Sequence, residues 1–360
     1  MSITLSALAL LATGLTVASQ AQDPPKLRFG GDFRLRYEHT SEGNGAPSFG
    51  KEVFRFRAGL SYALREDVIA RARLATGSQE DPNSTDITLG DFFDDLVVSL
   101  DVASIELTRK HWSVVGGKFV NPLVSTELVW DGDVNPSGVA GKVMVGNPSR
   151  VAATLTGLYF MVDAQPGDTS SDMGGGQISV TGSTAGKWRM TASAGYYDYQ
   201  IRSLVQTDAG DIRGNRLAPG GGRYLSDFDL MDLLGTIDYS GFGERFPVRL
   251  LGEYVHNSGA NGPNTGWEAD LYIGRSQKTG DVRFRYGYAL AETDAILAAY
   301  AHDNTSLGTN SETHTLSVDA VPMTGMLLNA TFYVYRPHEV PVGVAREFQN
   351  RLRLNATVSF

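Results

Sequence analysis

Residues 53–64 read VFRFRAGLSYAL, and they alternate without a slip. Phe54, Phe56, Ala58, Leu60, Tyr62 and Leu64 fall on one side; Arg55, Arg57, Gly59 and Ser61 fall on the other. Side chains that point to opposite faces in turn define a β-strand, here with one apolar and one polar face. The pattern returns at 281–291, where Val282, Phe284, Tyr286 and Tyr288 oppose Arg283, Arg285 and Gly287. It also ends the chain, with Leu352, Leu354, Ala356, Val358 and Phe360 against Arg351, Arg353, Asn355 and Thr357. Sandwiches alternate too, so alternation alone leaves the architecture open.

The connections decide it. Strands are predicted at 26–39, 51–65, 67–77, 97–108, 112–119, 138–145, 150–162, 175–183, 187–200, 229–239, 247–257, 266–275, 281–292, 312–320, 325–335 and 347–360. That makes an even sixteen, each near the length a tilted strand needs to cross hydrocarbon. Short links (near Glu66, Lys110-His111, 146–148, 185–186, 241–245, 276–280 and 322–323) alternate with long ones at 40–50, 78–96, 120–137, 163–174, 201–228, 258–265, 293–311 and 336–346. Short turns on one side and long loops on the other mark an outer-membrane barrel. Tyr37, Trp112, Tyr159, Trp188, Trp267 and Tyr333 lie near strand ends, where an aromatic girdle belongs. Residues 294–300 are read as a short helix inside their loop.

Composition narrows the classes. The chain has 360 residues, no cysteine and a net charge of −9, which excludes disulfides, thiolate metal sites and a cysteine nucleophile. The acidic balance and the lack of a basic tract speak against nucleic acid as a partner. No nucleotide-binding motif or cofactor signature is present, so no cofactor is expected. Residues 1–21 read as a signal peptide: an apolar run at 7–18 and then Ser19-Gln20-Ala21 as the cleavage site. Past Ala21 no apolar run is long enough for a membrane helix, which leaves a closed barrel of residues 22–360 as the only membrane-spanning option.

In such a barrel the polar faces line a lumen. Arg34, Arg36, Arg55, Arg57, Arg71, Arg73, Arg351 and Arg353 then form one basic wall, because closure sets the last strand beside the first. Asp232, Asp238, Glu253, Glu268 and Asp270 form an acidic wall, with Arg283 and Arg285 expected to pair with Glu268 and Asp270. Opposed walls make a transverse field that selects by charge, and the arginines bias it toward anions. The segment 117–140, GKFVNPLVSTELVWDGDVNPSGVA, carries Leu128-Val129-Trp130, which are costly to leave in water. The expectation is that this third external loop folds into the lumen as a constriction loop, with Glu127, Asp131 and Asp133 facing the water column.

Here a resemblance adds to the reading. GGDFRLRYEH at 30–39, with Gly117-Lys118-Phe119, Asn121-Pro122, Ser125-Thr126, Leu128-Val129-Trp130-Asp131 and Asp133-Val134-Asn135-Pro136, resembles the putative porins of Gram-negative outer membranes. It implies a passive channel in the bacterial outer membrane for small hydrophilic solutes or ions, partnered by membrane lipid and assembled as a homotrimer. The terminal Phe360 is similar to the assembly signal of Gram-negative barrels. Two competing readings remain. Asp131, Asp133 and Asn135 alternate as the oxygen ligands of a calcium loop do, without the downstream bidentate acid. The alternative function is a receptor or adhesin barrel that uses 201–228 and 293–311 as external binding loops. An enzyme is not expected: His256-Asn257-Ser258 offers a base and a hydroxyl but no orienting acid.

Overall fold

The computed structural model of the protein describes residues 26–41, 43, 47–77, 81–90, 96–166, 170–184, 187–243 and 245–360. The expected leader, residues 1–21, lies outside the described residues. The first strands are β1 (Leu27–Ser41), β2 (Phe49–Arg65), β3 (Val68–Thr76), β4 (Ile87–Thr88), β5 (Val98–Thr108), β6 (Trp112–Lys118) and β7 (Ser137–Asn147). β8 (Val151–Asp163), β9 (Ser171–Thr184), β10 (Trp188–Gln200), β11 (Phe228–Tyr239) and β12 (Val248–Asn257) follow. The last are β13 (Thr265–Gly274), β14 (Val282–Ala291), β15 (Ser311–Ala320), β16 (Met326–Pro337) and β17 (Gln349–Ser359).

Sixteen of these are long and build the wall. β4 is a two-residue strand that pairs with Val53 and Phe54 of β2, past the end of β3. The sequence held no sign of it. All neighbours are antiparallel, and β1 pairs with both β2 and β17, so the sheet closes and leaves no free edge. In lipid that closure is required, because an unpaired edge would strand backbone N–H and C=O groups away from water.

The register sets the two faces. Arg34 stands opposite Arg55 and Thr357, and Leu35 opposite Phe54 and Ala356. Apolar side chains such as Phe33, Leu35, Leu60, Tyr62, Leu64, Leu354 and Val358 are exposed on the outer face. In water such a surface would drive aggregation; against hydrocarbon it costs nothing. Tyr37, Trp112, Tyr159, Trp188 and Trp267 are also exposed there, near the strand ends. Tyr333 is not part of that girdle. It faces inward opposite Arg351, is 8 % exposed, and donates its hydroxyl to Asn304.

Connections segregate as expected. The turns at 66–67, 109–111, 148–150, 240–247, 275–281 and 321–325 lie at one end, and the long loops at the other. The main buried apolar cluster joins wall to loops: Phe160, Met173, Tyr197, Tyr199, Phe228 and Val255 of the wall pack with Leu128, Val129 and Trp130 and with Ile296, Leu297 and Tyr300. Burying an apolar side chain of this size stabilises by about 1.5–3 kcal/mol, which is why both loop segments are drawn onto it. The helix expected at 294–300 is a single 3-10 turn, Ala298–Tyr300. A four-residue helix, α1 (Ala209–Ile212), is capped by Asp208 and Asp211 in reciprocal hydrogen bonds.

Candidate functional site: the lumenal charges and the loops that bond to them

Strict alternation puts the eight arginines on one inner face, and closure joins their strands. Every one of them meets a carboxylate. Asp86, the residue just before β4, takes Arg34 and also Arg36 at 2.6 Å. Asp32 of β1 takes Arg55 at 2.9 Å and Arg57 at 2.7 Å. Glu106 and Asp101 of β5 take Arg71 and Arg73. Glu38 accepts from Arg353 at 2.6 Å, lies 3.6 Å from Arg351 and 3.5 Å from Lys51, and Asp303 lies 3.4 Å from Arg353. With Asp133, described next, seven carboxylates stand among eight arginines and one lysine. Most of the wall's positive charge is thus offset, with two cations in excess, and its pull on anions is correspondingly reduced.

Residues 119–136 bond to inward-facing groups on both sides. Asp133 accepts from Arg57 at 3.1 Å and from Thr85 Oγ1 at 2.9 Å, with Arg55 at 3.7 Å. Burial works against its charge, but Arg55, Arg57 and Arg34 hold its pKa at about 2. Toward the far wall, Val124 exchanges two hydrogen bonds with the Gln177 side chain of β9, at 2.9 and 2.7 Å. Thr126 donates its N–H, at 3.3 Å, and its hydroxyl to Glu253 of β12. Between these anchors Trp130 stacks on Tyr300 with centroids 5.6 Å apart and meets Phe160 edge-on at 5.6 Å. Burial, together with the charges of Glu127, Asp133 and Asp303, pushes the Asp131 carboxyl well above the usual range.

Two of the three side chains read as a calcium loop have their oxygens turned to other uses, and the third donates its amide. Asp131 Oδ1 accepts from the Asp133 N–H at 2.8 Å, Asp133 faces the arginines, and the Asn135 amide donates to Asp101 at 2.6 Å. No cluster of three metal-ligating side chains occurs among the described residues.

Loop 292–310 has partners that the sequence reading did not foresee. The His302 N–H donates to the Glu127 carbonyl at 3.0 Å, the Asp131 N–H to the Tyr300 carbonyl at 2.7 Å, and the Asn304 amide to Glu127 Oε2 at 2.6 Å. Arg353 donates to Asn304 Oδ1 at 2.8 Å, so this loop links residues 127–131 to the arginine ladder. Residues 295–298 and Ala301 are buried, which is at odds with a loop displayed for external binding. Only alternation could have flagged Asp32 and Glu38, which share a face with Arg34 and Arg36. Asp86, Asp303 and Asn304 had no signal at all.

Asp232, Glu253, Glu268 and Asp270 share the inner face of β11, β12 and β13, with Glu253 directly opposite Glu268. Asp270 pairs with Arg285 at 2.8 Å, as expected; Arg283 instead takes Asp319 of β15, one strand further on. Asp238 lies nearer the short-turn end and pairs with Arg249. His256 and Ser258 do not meet: the imidazole lies 3.4 Å from Thr265 Oγ1, and the Ser258 hydroxyl donates to the Asp229 carbonyl.

A closed sixteen-strand antiparallel wall, apolar outside and charged within, has the architecture of an outer-membrane transmembrane barrel. Residues 44–215 match the model of the family described as "Putative porin". Its fold is similar to that of OprB from Pseudomonas putida, with a TM-score of 0.62 at 11% identity over 93% of this chain and 94% of that one. OmpF from Salmonella typhi, in a complex with daunomycin, gives 0.54 at 10% identity over 93% and 97%. An anion-selective porin from Comamonas acidovorans gives 0.53 at 11% identity over 93% and 99%. No curated protein matches the sequence.

Proposed function

We propose that the protein is an outer-membrane diffusion channel of the porin kind, that it is narrowed by residues 119–136 together with 292–310, and that small hydrophilic solutes pass this point without coupling to an energy source. The observation that carries the reading is the pair of anchors at opposite walls: Asp133 on Arg55 and Arg57 of β2, and Thr126 on Glu253 of β12. A segment held at both ends in this way lies across the path between the charged faces. The fold supports a trimer by analogy, since OmpT from Vibrio cholerae, similar at a TM-score of 0.52 and 11% identity, was solved in a trimer form. Removal of residues 1–21 on export completes the proposal.

Gly132 provides the test. It is exposed, and a Cβ built there meets nothing within 4 Å, so a side chain fits without disturbing the Asp133 ion pairs. In this cysteine-free chain, Gly132→Cys treated with a bulky thiol reagent should lose most of its single-channel conductance. Complete labelling with unchanged conductance would remove the loop from the permeation path.

A further inference from the structure

Two tyrosine–aspartate pairs line the same inner face, and a cation fills only one of them. Tyr272 of β13 donates its hydroxyl to Asp270 Oδ2 at 2.8 Å; the Arg285 guanidinium lies 2.8 Å from that oxygen and 5.5 Å over the Tyr272 ring. Tyr197 of β10 donates its hydroxyl to Asp232 Oδ2 at 3.2 Å in the same manner. Among the described residues no arginine or lysine completes this second pair. Asp232 is 1 % exposed and its Oδ1 meets no donor, as Asp270 Oδ1 also does not; what sets the second pair apart is the missing cation and Ser193 Oγ, buried on the adjoining strand without a partner. A buried polar atom left open in this way calls for a missing ligand.

The neighbours extend the vacancy in charge. Glu253 and Glu268 stand opposite each other, and the donors to Glu253 are the Thr126 N–H and hydroxyl, which bring no positive charge. Three carboxyl groups this close cannot all ionise unless a cation joins them. The arginine side offsets them little, because all but two of its positive charges are matched by carboxylates of its own. Resting on the channel reading, we propose that Asp232, Glu253 and Glu268 bind the ammonium or guanidinium group of a permeating solute, so that the channel favours small basic organic solutes over anionic ones.

The ligand class follows from geometry. The three carboxyl groups do not converge as metal ligands do among the described residues. A guanidinium spreads its N–H donors over a plane and can serve acceptors that are set apart. Arg285 on Asp270 and Tyr272 shows the wall already holding one. The other charged or titratable groups around the proposed site are Tyr197, Asp270, Tyr272, Arg285 and, from the loop, Glu127. Since protons compete with the solute for these carboxylates, the preference should weaken as pH falls.

The test is single-channel recording of the purified protein in a planar bilayer. In a potassium chloride gradient the reversal potential should report cation preference. Arginine amide should interrupt the current, and glutamate should not. Asp232→Asn should lower the interruption rate about tenfold, the factor one charged hydrogen bond supports. Glu268→Gln should do the same and serves if the first variant does not fold. Glu339→Gln, in an outer loop, should leave the rate unchanged. Anion preference in the wild type, or interruption by arginine amide that survives both carboxyl substitutions, overturns the proposal while leaving the channel intact. A folded protein that passes no current overturns the channel reading itself.

Discussion

At the scale of single residues, Arg57 and Asp133 hold the most. Arg57 is 2 % exposed and bridges Asp32 and Asp133. Such a pair adds little over an apolar substitute, but removing one partner leaves buried charge without compensation. Arg57→Ala should therefore destabilise the barrel by about 3–5 kcal/mol, read from guanidinium unfolding. A double substitution with Asp133→Asn should recover part of that loss; simple additivity of the two would show that they do not interact. The pH dependence has a defined sign. Asp133 has its pKa lowered from 3.8 to about 2 in the folded chain, so its stabilisation is complete above about 3.8 and is lost as pH falls through about 2. The anchor of residues 119–136 on the arginine ladder should hold through mild acid.

At the scale of elements, loop 292–310 is the acid-sensitive part. His302 is buried, its Nδ1 meets no partner, and burial with the nearby Arg213 holds its pKa down at about 4. The charges that face it are Arg213, Glu127, Asp303 and Arg353. An imidazole with a lowered pKa favours the folded loop only while it is neutral. That contribution is present above about pH 6.5 and falls away between there and about pH 4, as the open form takes up the proton first. Backbone amides at 292–310 should exchange faster over that window, and His302→Gln should flatten the response. Exchange that does not depend on pH would show that His302 is not the sensor. Asp131 works in the opposite sense, since its raised pKa favours the folded loop at low pH.

At the scale of the whole molecule, closure depends on the seam between β1 and β17. The Gly31 N–H donates to the Phe360 carbonyl at 3.0 Å, and the Phe360 N–H to the Gly31 carbonyl at 3.1 Å. A Cβ at Gly31 would sit 2.2 Å from the Arg57 carbonyl oxygen and 2.8 Å from the Phe360 ring. Gly31→Val should thus prevent closure, seen as loss of the compact, heat-modifiable species on gels; normal yield of that species would show that the seam tolerates a side chain. Topology offers a separate check. A tag at Val342, fully exposed in loop 338–348, should be reachable on intact cells, and one at Gly243, in turn 240–247, should not.

Facing was legible in the sequence because it is a local property. Alternation at 53–64 places Arg55 and Arg57 together and Phe54 and Phe56 opposite them, whatever the rest of the chain does. Loop lengths add which strand ends are neighbours, and the apolar outer face adds the solvent. From these follow the barrel, the number of long strands and the side on which each arginine lies. Partners across the lumen are not local. Asp86, Asp303 and Asn304 sit in loops without periodicity, and only closure brings them to Arg34, Arg36 and Arg353. Tyr333 shows the same limit: near a strand end it reads as girdle, yet its register against Arg351 turns it inward. The charge balance of the basic wall was decided there too. A guanidinium in a narrow lumen is stable only beside a carboxylate, and which carboxylate reaches it depends on the folding of loops that the strand pattern does not encode.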